Sequence, residues 1–275
     1  MSINVVAAPA ASHPRGETQR PQPDTQPIPV VRNGETDLLD TDRTRLATAM
    51  AGDDFHVTGD TFLLSAAATV IICVPTPFDQ YPTQDLTILR DACSMVVDAA
   101  TPGELLMLTF TTYAGCTGDM LVKLPQQRGL TISRDIFVSF SPKRIDSGND
   151  RFAQKDVPRG VGGANETCRR AAEALLHRYA RNVYAVGSFE TAEITKLLEN
   201  TFHAGPGVGS HCTLCNPHYL LWQLRKEHIS VPVMEHAMFE ITGHPRRTVE
   251  HVRQTLADRP YGRQPCPRAS VWRRR

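Results

Sequence analysis

The sequence predicts an α/β protein: a partial doubly wound parallel sheet, its first βαβ unit missing, followed by a small helical region. Three observations carry this. Val70-Ile71-Ile72-Cys73-Val74, Leu105-Leu106-Met107-Leu108-Thr109-Phe110 and Ile136-Phe137-Val138 are short, continuous apolar runs. Continuous hydrophobicity, without alternation, marks strands buried on both faces. Segments of helical period separate these runs, and alternation of strand with helix is the pattern of a parallel sheet. Each run ends in a polar turn: Pro75-Thr76-Pro77, Thr111-Thr112-Tyr113-Ala114-Gly115 and Ser141-Pro142-Lys143-Arg144. Ligands of such sheets bind beyond the carboxyl ends of the strands.

Taken in order, Met1 to Gly34 is rich in Pro, Ala, Gln and Thr and has no sustained apolar period. It is expected to be disordered, with neither a strand nor a glycine-rich turn. Leu38, Leu39, Leu46 and Met50 suit a short helix over 37–50, and His56-Val57-Thr58 a brief strand. Asp85 caps a helix over Leu86, Leu89, Cys93, Met95, Val96 and Val97, which Pro102-Gly103 breaks. A further helix covers Met120, Leu121 and Leu124, another runs from Thr167 to about Ala180, and Val183-Tyr184-Ala185-Val186 is a last strand. The domain division is 1–34 disordered, 35–188 a partial dinucleotide-binding α/β domain, 189–258 a helical region and 259–275 a disordered basic tail.

Composition sets bounds. A net charge of +1 over 275 residues gives no bulk attraction to nucleic acid or membrane, and Arg273-Arg274-Arg275 is a local exception. Seven cysteines without regular spacing argue against a disulfide scaffold. With no signal-peptide pattern or run of transmembrane length, a cytoplasmic location is the expectation.

The second half carries the chemistry. Glu190 to His203 reads as a helix with Ile194, Leu197, Leu198 and Phe202 in one apolar stripe. Lys196 and Asn200 fall on the other side, one turn apart and facing the same way. A solvated polar face and a functional pair both fit that spacing. The loop Gly205-Pro206-Gly207-Val208-Gly209-Ser210-His211-Cys212 follows. Its glycines admit close approach of backbone to a ligand. Asn216-Pro217 then reads as a helix start, N-cap followed by proline. Cys212 would thus sit near a positive helix end that favours its thiolate, a candidate nucleophile. The other reading is a glycine turn before a buried cysteine. A thiol or metal site over His211, Cys212, Cys215 and His218 is disfavoured, because four ligands so close in sequence rarely close a tetrahedron. Helices from about Pro217 to Lys226 and from about Arg246 to Ala257 complete the region.

In this order, the Val70–Pro77 strand and turn, Thr111-Thr112-Tyr113, Phe140 to Asn149, Lys196-Leu197-Leu198-Glu199-Asn200-Thr201-Phe202 and the Gly205–Cys212 loop resemble the nucleotide-sugar 6-dehydrogenases. The resemblance covers roughly residues 36 to 258 and leans toward the UDP-N-acetylmannosamine dehydrogenase branch. It implies oxidation of the C6 alcohol of a UDP-sugar to a carboxylate, with two hydrides passed to NAD by way of a cysteine thioester. On that resemblance Cys212 is the nucleophile. Lys196 and Asn200 steady the developing alkoxide. Thr111 orients reacting groups near the cofactor. Thr76 and Thr111 border the NAD, and Gly205, Gly207 and Gly209 lie against the sugar diphosphate. A homodimer is the implied assembly.

The departures from the family pattern are specific. No G-x-G-x-x-G turn precedes Val70. Lys143 stands where the family carries a glutamate, and Asn216 where it carries an aspartate. The stretch between His203 and Gly205 is shortened, and no third domain is read after Asp258. Little or no dehydrogenase activity is therefore expected. The alternative is a non-catalytic remnant that binds a nucleotide sugar or pairs with an intact homologue.

Overall fold

The computed structural model describes residues 3–6, 31, 33, 40–52, 55–74, 85–110, 112–144, 153–202 and 211–257. Six strands form one sheet in sequential order: β1 (Ile3–Val6), β2 (Thr69–Ile72), β3 (Glu104–Leu108), β4 (Ile136–Phe140), β5 (Arg159–Gly163) and β6 (Val183–Ala185). β1 to β4 are mutually parallel, β5 runs antiparallel to β4, and β6 is parallel to β5.

Three expectations are corrected here. Residues 1–34 do contain a strand: Ile3–Val6 pairs with Thr69–Ile72 through four consecutive partners, so the first unit of the sheet keeps its strand. Its four residues are too few to show a period, and only β2 beside them makes a strand of them. The sheet is also mixed where a wholly parallel one was expected. β5, Arg-Gly-Val-Gly-Gly, carries one apolar side chain in five and gives no strand signal in sequence. Residues 55–60 have no regular secondary structure, so the brief strand expected at 56–58 does not form.

Helices cover both faces of the sheet, as the doubly wound pattern requires. α1 is Asp40–Met50, with no buried residue. α2 is Thr87–Ala99 with Leu86 at the N-cap position where Asp85 was expected, and the Asp85 carboxylate, one residue earlier, accepts from the Thr87 N–H at 2.9 Å. Leu89, Cys93, Val96 and Val97 of α2 pack on Val70, Ile72, Leu106, Leu108, Val138 and Phe140, all fully or nearly fully buried. The next helix winds as a π-helix over Gly118–Val122 and becomes α3 over Lys123–Gln127, adding Met120 and Leu121 to that face. α4 (Glu166–Leu176) covers the opposite face, where Ala172, Leu175 and Leu176 meet Leu105, Met107 and Val161.

α5 (Phe189–Phe202), α6 (His211–Lys226) and α7 (Pro232–Ala257) form the helical region. Phe189 and Ala192 seat α5 on the α2 face of the sheet. Gly162 of β5 makes this possible, because a Cβ there would overlap the Ser188 carbonyl and the Phe189 Cα. Leu197 of α5 joins Tyr219, Leu220 and Leu221 of α6 with Met234 and Met238 of α7 in a second core. α6 starts six residues before the Pro217 expected to open it, and Pro217 lies inside the helix. An interior proline loses its N–H bond and its ring crowds the carbonyl four residues earlier, at a cost of about 3 kcal/mol, which the packing of Tyr219, Leu220 and Leu221 in the second core offsets. α7 likewise begins at Pro232 and runs through Gly243-His244-Pro245.

Candidate active site

α5 organises the site. Glu193, Lys196 and Asn200 occupy positions i, i+3 and i+7, hence one face of the helix. The solvated-face reading of this side fails. Glu193 is fully buried, Asn200 is 6 % exposed, and the Lys196 side chain is 16 % exposed. The expected apolar stripe holds only at Leu197, since Ile194 and Leu198 are 37 % and 39 % exposed. The Phe202 side chain lies outside the described residues.

Glu193 grips the turn that follows β3. Its carboxylate accepts from the Gly115 N–H at 2.6 Å, the Thr117 N–H at 2.9 Å and the Thr117 hydroxyl at 2.6 Å. These amides open the helix that leads to α3, so the carboxylate satisfies donors with no intrahelical acceptor. Burial pushes the Glu193 pKa up to about 7 against the lowering effect of those three donors. Gln223 of α6 holds the same turn from the other side: its carbonyl accepts from the Ala114 N–H at 3.0 Å and its amide donates to the Ala114 carbonyl at 2.8 Å. Thr112, within this turn, is fully buried.

Glu199 joins α5 to the segment after β4. Lys196 Nζ lies 3.3 Å from one of its oxygens, and the Arg144 guanidinium donates to the other at 3.0 Å. The Asn200 amide nitrogen Nδ2, by contrast, has no hydrogen-bond partner among the described residues. An unpaired buried amide donor is costly, and it is relieved by an acceptor such as an alkoxide oxygen.

Of the other expected site residues, Cys212 lies in the first turn of α6, and its side chain is not among those described. It therefore belongs to the helix itself, where a preceding loop was expected. Thr76, Thr111, Gly205, Gly207 and Gly209 fall outside the described residues. Lys143 does stand at the end of β4. Glu193 and Gln223 are what the sequence reading missed. Glu193 was open to discovery, since it extends the Lys196–Asn200 face by one turn. Gln223 gave no signal, because its partner is a backbone more than a hundred residues away.

The residues that follow β1 lie outside the described structure, and their sequence bears on the cofactor. In the dinucleotide fold a glycine turn there brings backbone N–H groups against a pyrophosphate. Residues 7–12 of this chain read Ala-Ala-Pro-Ala-Ala-Ser, with no glycine, so the strand is present and the usual cradle does not fit.

A model of the NAD-binding domain of the UDP-glucose/GDP-mannose dehydrogenase family matches residues 23–181. A UDP-N-acetyl-D-mannosamine dehydrogenase of Yersinia pestis is 24 % identical over 241 residues, 70 % of this chain and 56 % of that protein. A UDP-N-acetyl-D-glucosamine 6-dehydrogenase of Salmonella typhi is 29 % identical over 133 residues, 48 % of this chain and 31 % of that one. The chain thus spans between 31 % and 56 % of the length of these curated relatives. The solved UDP-D-ManNAc dehydrogenase of Pyrococcus horikoshii superposes with a TM-score of 0.73 at 22 % identity, covering 84 % of this chain and 63 % of that one. A UDP-glucose dehydrogenase of Pyrobaculum islandicum gives 0.68 at 15 %, covering 84 % and 63 %. At these identities the superpositions establish the fold. Among the described residues, no helix is long and apolar enough to cross a membrane.

Proposed function

Because the chain belongs to the UDP-glucose/GDP-mannose dehydrogenase family, we propose that α5 and the start of α6 form a nucleotide-sugar 6-dehydrogenase site of the UDP-N-acetylmannosamine type, with little or no turnover. The observation that supports it is Asn200: a buried amide donor left without a partner, one turn from Lys196, on the helix that packs against the one carrying Cys212. In this reading the UDP-sugar C6 oxygen fills that vacancy, and Lys196 supplies the positive charge. Lys196 shares the Glu199 carboxylate with Arg144, and that carboxylate fixes the ammonium in place and moderates its charge. Cys212, in the first turn of α6, has its thiolate favoured by the helix dipole and captures an aldehyde carbon.

Two features argue for low turnover. NAD, when bound, supplies the hydride acceptor, and the sequence after β1 lacks the glycines that would seat its pyrophosphate. Lys143 replaces the family carboxylate and is no general base; losing one costs roughly 10²–10⁴ in rate. The test is NADH formation from UDP-N-acetylmannosamine by the purified chain. The expected rate is near background and unchanged in Cys212→Ser. Sustained NADH formation, lost in that variant, would overturn the low-turnover reading and establish the nucleophile.

The second reading is non-catalytic binding of a UDP-sugar or pairing with an intact homologue, and a possible homodimer belongs to it. The same Asn200 vacancy without a glycine cradle favours it. A thermal midpoint raised by the UDP-sugar and not by NAD is its signature, since a ligand that binds only the folded state stabilises it.

A further inference from the structure

We infer that Glu193 and Gln223 are positioning residues of the candidate site, and that together they form a proton-operated latch on the turn after β3. The site as proposed draws on three segments. Thr111 stands next to Thr112 in that turn, Lys196 and Asn200 lie on α5, and Cys212 is in the first turn of α6. Glu193 ties α5 to Gly115 and Thr117, and Gln223 ties α6 to Ala114, so residues 114–117 receive both helices. The two grips are unlike. Gln223 holds both backbone groups of Ala114 with a neutral amide that does not titrate. Glu193 is a fully buried carboxyl that forms no ion pair among the described residues. The inference rests on the nucleotide-sugar reading for what is positioned, and not for the latch itself.

The elements around Glu193 bring charges that are already committed. On its own helix Glu190 adds a like charge, and Lys196 is held by Glu199 at 3.3 Å. The turn and the helix after it bring Tyr113, Cys116 and Asp119, the last taken by Lys123 and by the Tyr113 hydroxyl at 2.8 Å. α2 brings Cys93, and β5 brings Arg159, which is 8 % exposed and sits over the Tyr179 ring at 5.4 Å from the centroid. α6 brings His218, Arg225, which reaches Glu235 at 3.1 Å, and Lys226, which lies over the Trp222 ring. α7 meets α5 at Leu197 through Met234 and Met238 and carries Glu235, His236 and Glu240. A buried carboxyl without a counter-ion keeps its proton beyond the ordinary range. Here burial outweighs the three donors and brings the pKa to about 7. The neutral acid keeps its hold, because its O–H can donate to the Thr117 oxygen across the same 2.6 Å contact. Opening the latch returns the carboxyl to water and to its ordinary 4.5. The closed form therefore binds the proton more tightly. Its advantage is full below 4.5 and is lost as pH rises through 7.

Hydrogen exchange of the full chain between pH 5 and pH 8, read at the Gly115 and Thr117 amides, tests the latch. Their protection, corrected for the chemical exchange rate, is expected to fall by about tenfold or more across that range. Leu106, in the middle of β3, reports opening of the whole fold beside them and is expected to change less. In Glu193→Gln the protection is lower and flat with pH, since the amide has no proton to lose. In Gln223→Ala the Ala114 amide loses about tenfold at every pH, and the pH dependence at Gly115 and Thr117 stays. Protection flat with pH in the wild type, an equal fall at Leu106, or an unchanged profile in Glu193→Gln overturns the latch. If Glu193→Gln does not fold, the wild-type profile and Gln223→Ala decide it. Calorimetry with UDP-N-acetylmannosamine at pH 6 and pH 8 reads the positioning. Affinity is expected to be higher at pH 6 in the wild type and equal at the two values in Glu193→Gln. Equal affinity in the wild type overturns the positioning role. No binding at either pH, with the exchange profile intact, overturns the nucleotide-sugar reading and the positioning role with it, and leaves the latch standing.

Discussion

Glu193 and Arg159 are both charged side chains buried against this sheet, one on each face, and they are treated in opposite ways. Glu193 receives three hydrogen bonds from the turn after β3, and Arg159 has an aromatic ring and an unpaired Nε. The first arrangement is closed on itself and holds two regions of the molecule together. The second is open, and a buried guanidinium with an unpaired Nε is costly to the fold. Burial of a charge therefore does not announce its role; the completeness of its partners does.

That contrast can be broken most severely at Glu193. Glu193→Ala leaves the Gly115 and Thr117 amides and the Thr117 hydroxyl without their acceptor and is expected to destabilise by about 3–5 kcal/mol, read from denaturant unfolding. The milder Glu193→Gln tests the titration. A carboxyl whose folded pKa is raised to about 7 from the ordinary 4.5 contributes stability that is full below 4.5 and is lost as pH rises through 7. His218, whose pKa burial lowers, works the other way, its contribution rising with pH toward its ordinary 6.5. The difference between wild type and Glu193→Gln isolates the first effect: the wild-type midpoint should lose ground to the variant between about pH 5 and pH 8. A flat difference would mean that Glu193 stays ionised in the fold.

A smaller effect is expected at Gln223, which makes two neutral bonds to Ala114. Gln223→Ala should cost about 1–2 kcal/mol, and more than that would mark the α6 contact as central to the helical region. The smallest belongs to Arg159. If its charge is unpaired in the free protein, Arg159→Met should leave the unliganded midpoint unchanged or raise it. A loss comparable to that of Glu193→Ala would show that Arg159 is structurally paired, and the two regions would no longer differ.

How much of this was legible follows one rule. β2, β3 and β4 were readable because their side chains are apolar on both faces, and α2 because of its apolar period, with Asp85 bonding its first turn. β1 and β5 were not, because one is four residues long and the other mostly glycine, so pairing alone makes them strands. In the candidate site, Lys196 and Asn200 were readable as a pair from helical spacing. Their burial, and the Glu193 grip one turn earlier, were not.

By itself, then, the sequence determined the alternation of β2, β3 and β4 with their helices, the family resemblance, the Lys196–Asn200 face and the absence of glycines after β1. Such features are written in local periodicity and in residue types that bear on backbone conformation. Only the tertiary structure decided that β5 turns antiparallel, that α6 runs through Pro217, that Glu193 and Gln223 clasp one turn, and that Arg159 joins Arg45, Lys143 and Lys155 around one cleft. Each of these is a contact between residues distant in the chain. Its energy depends on which groups lose water together, and no spacing along the sequence carries that information.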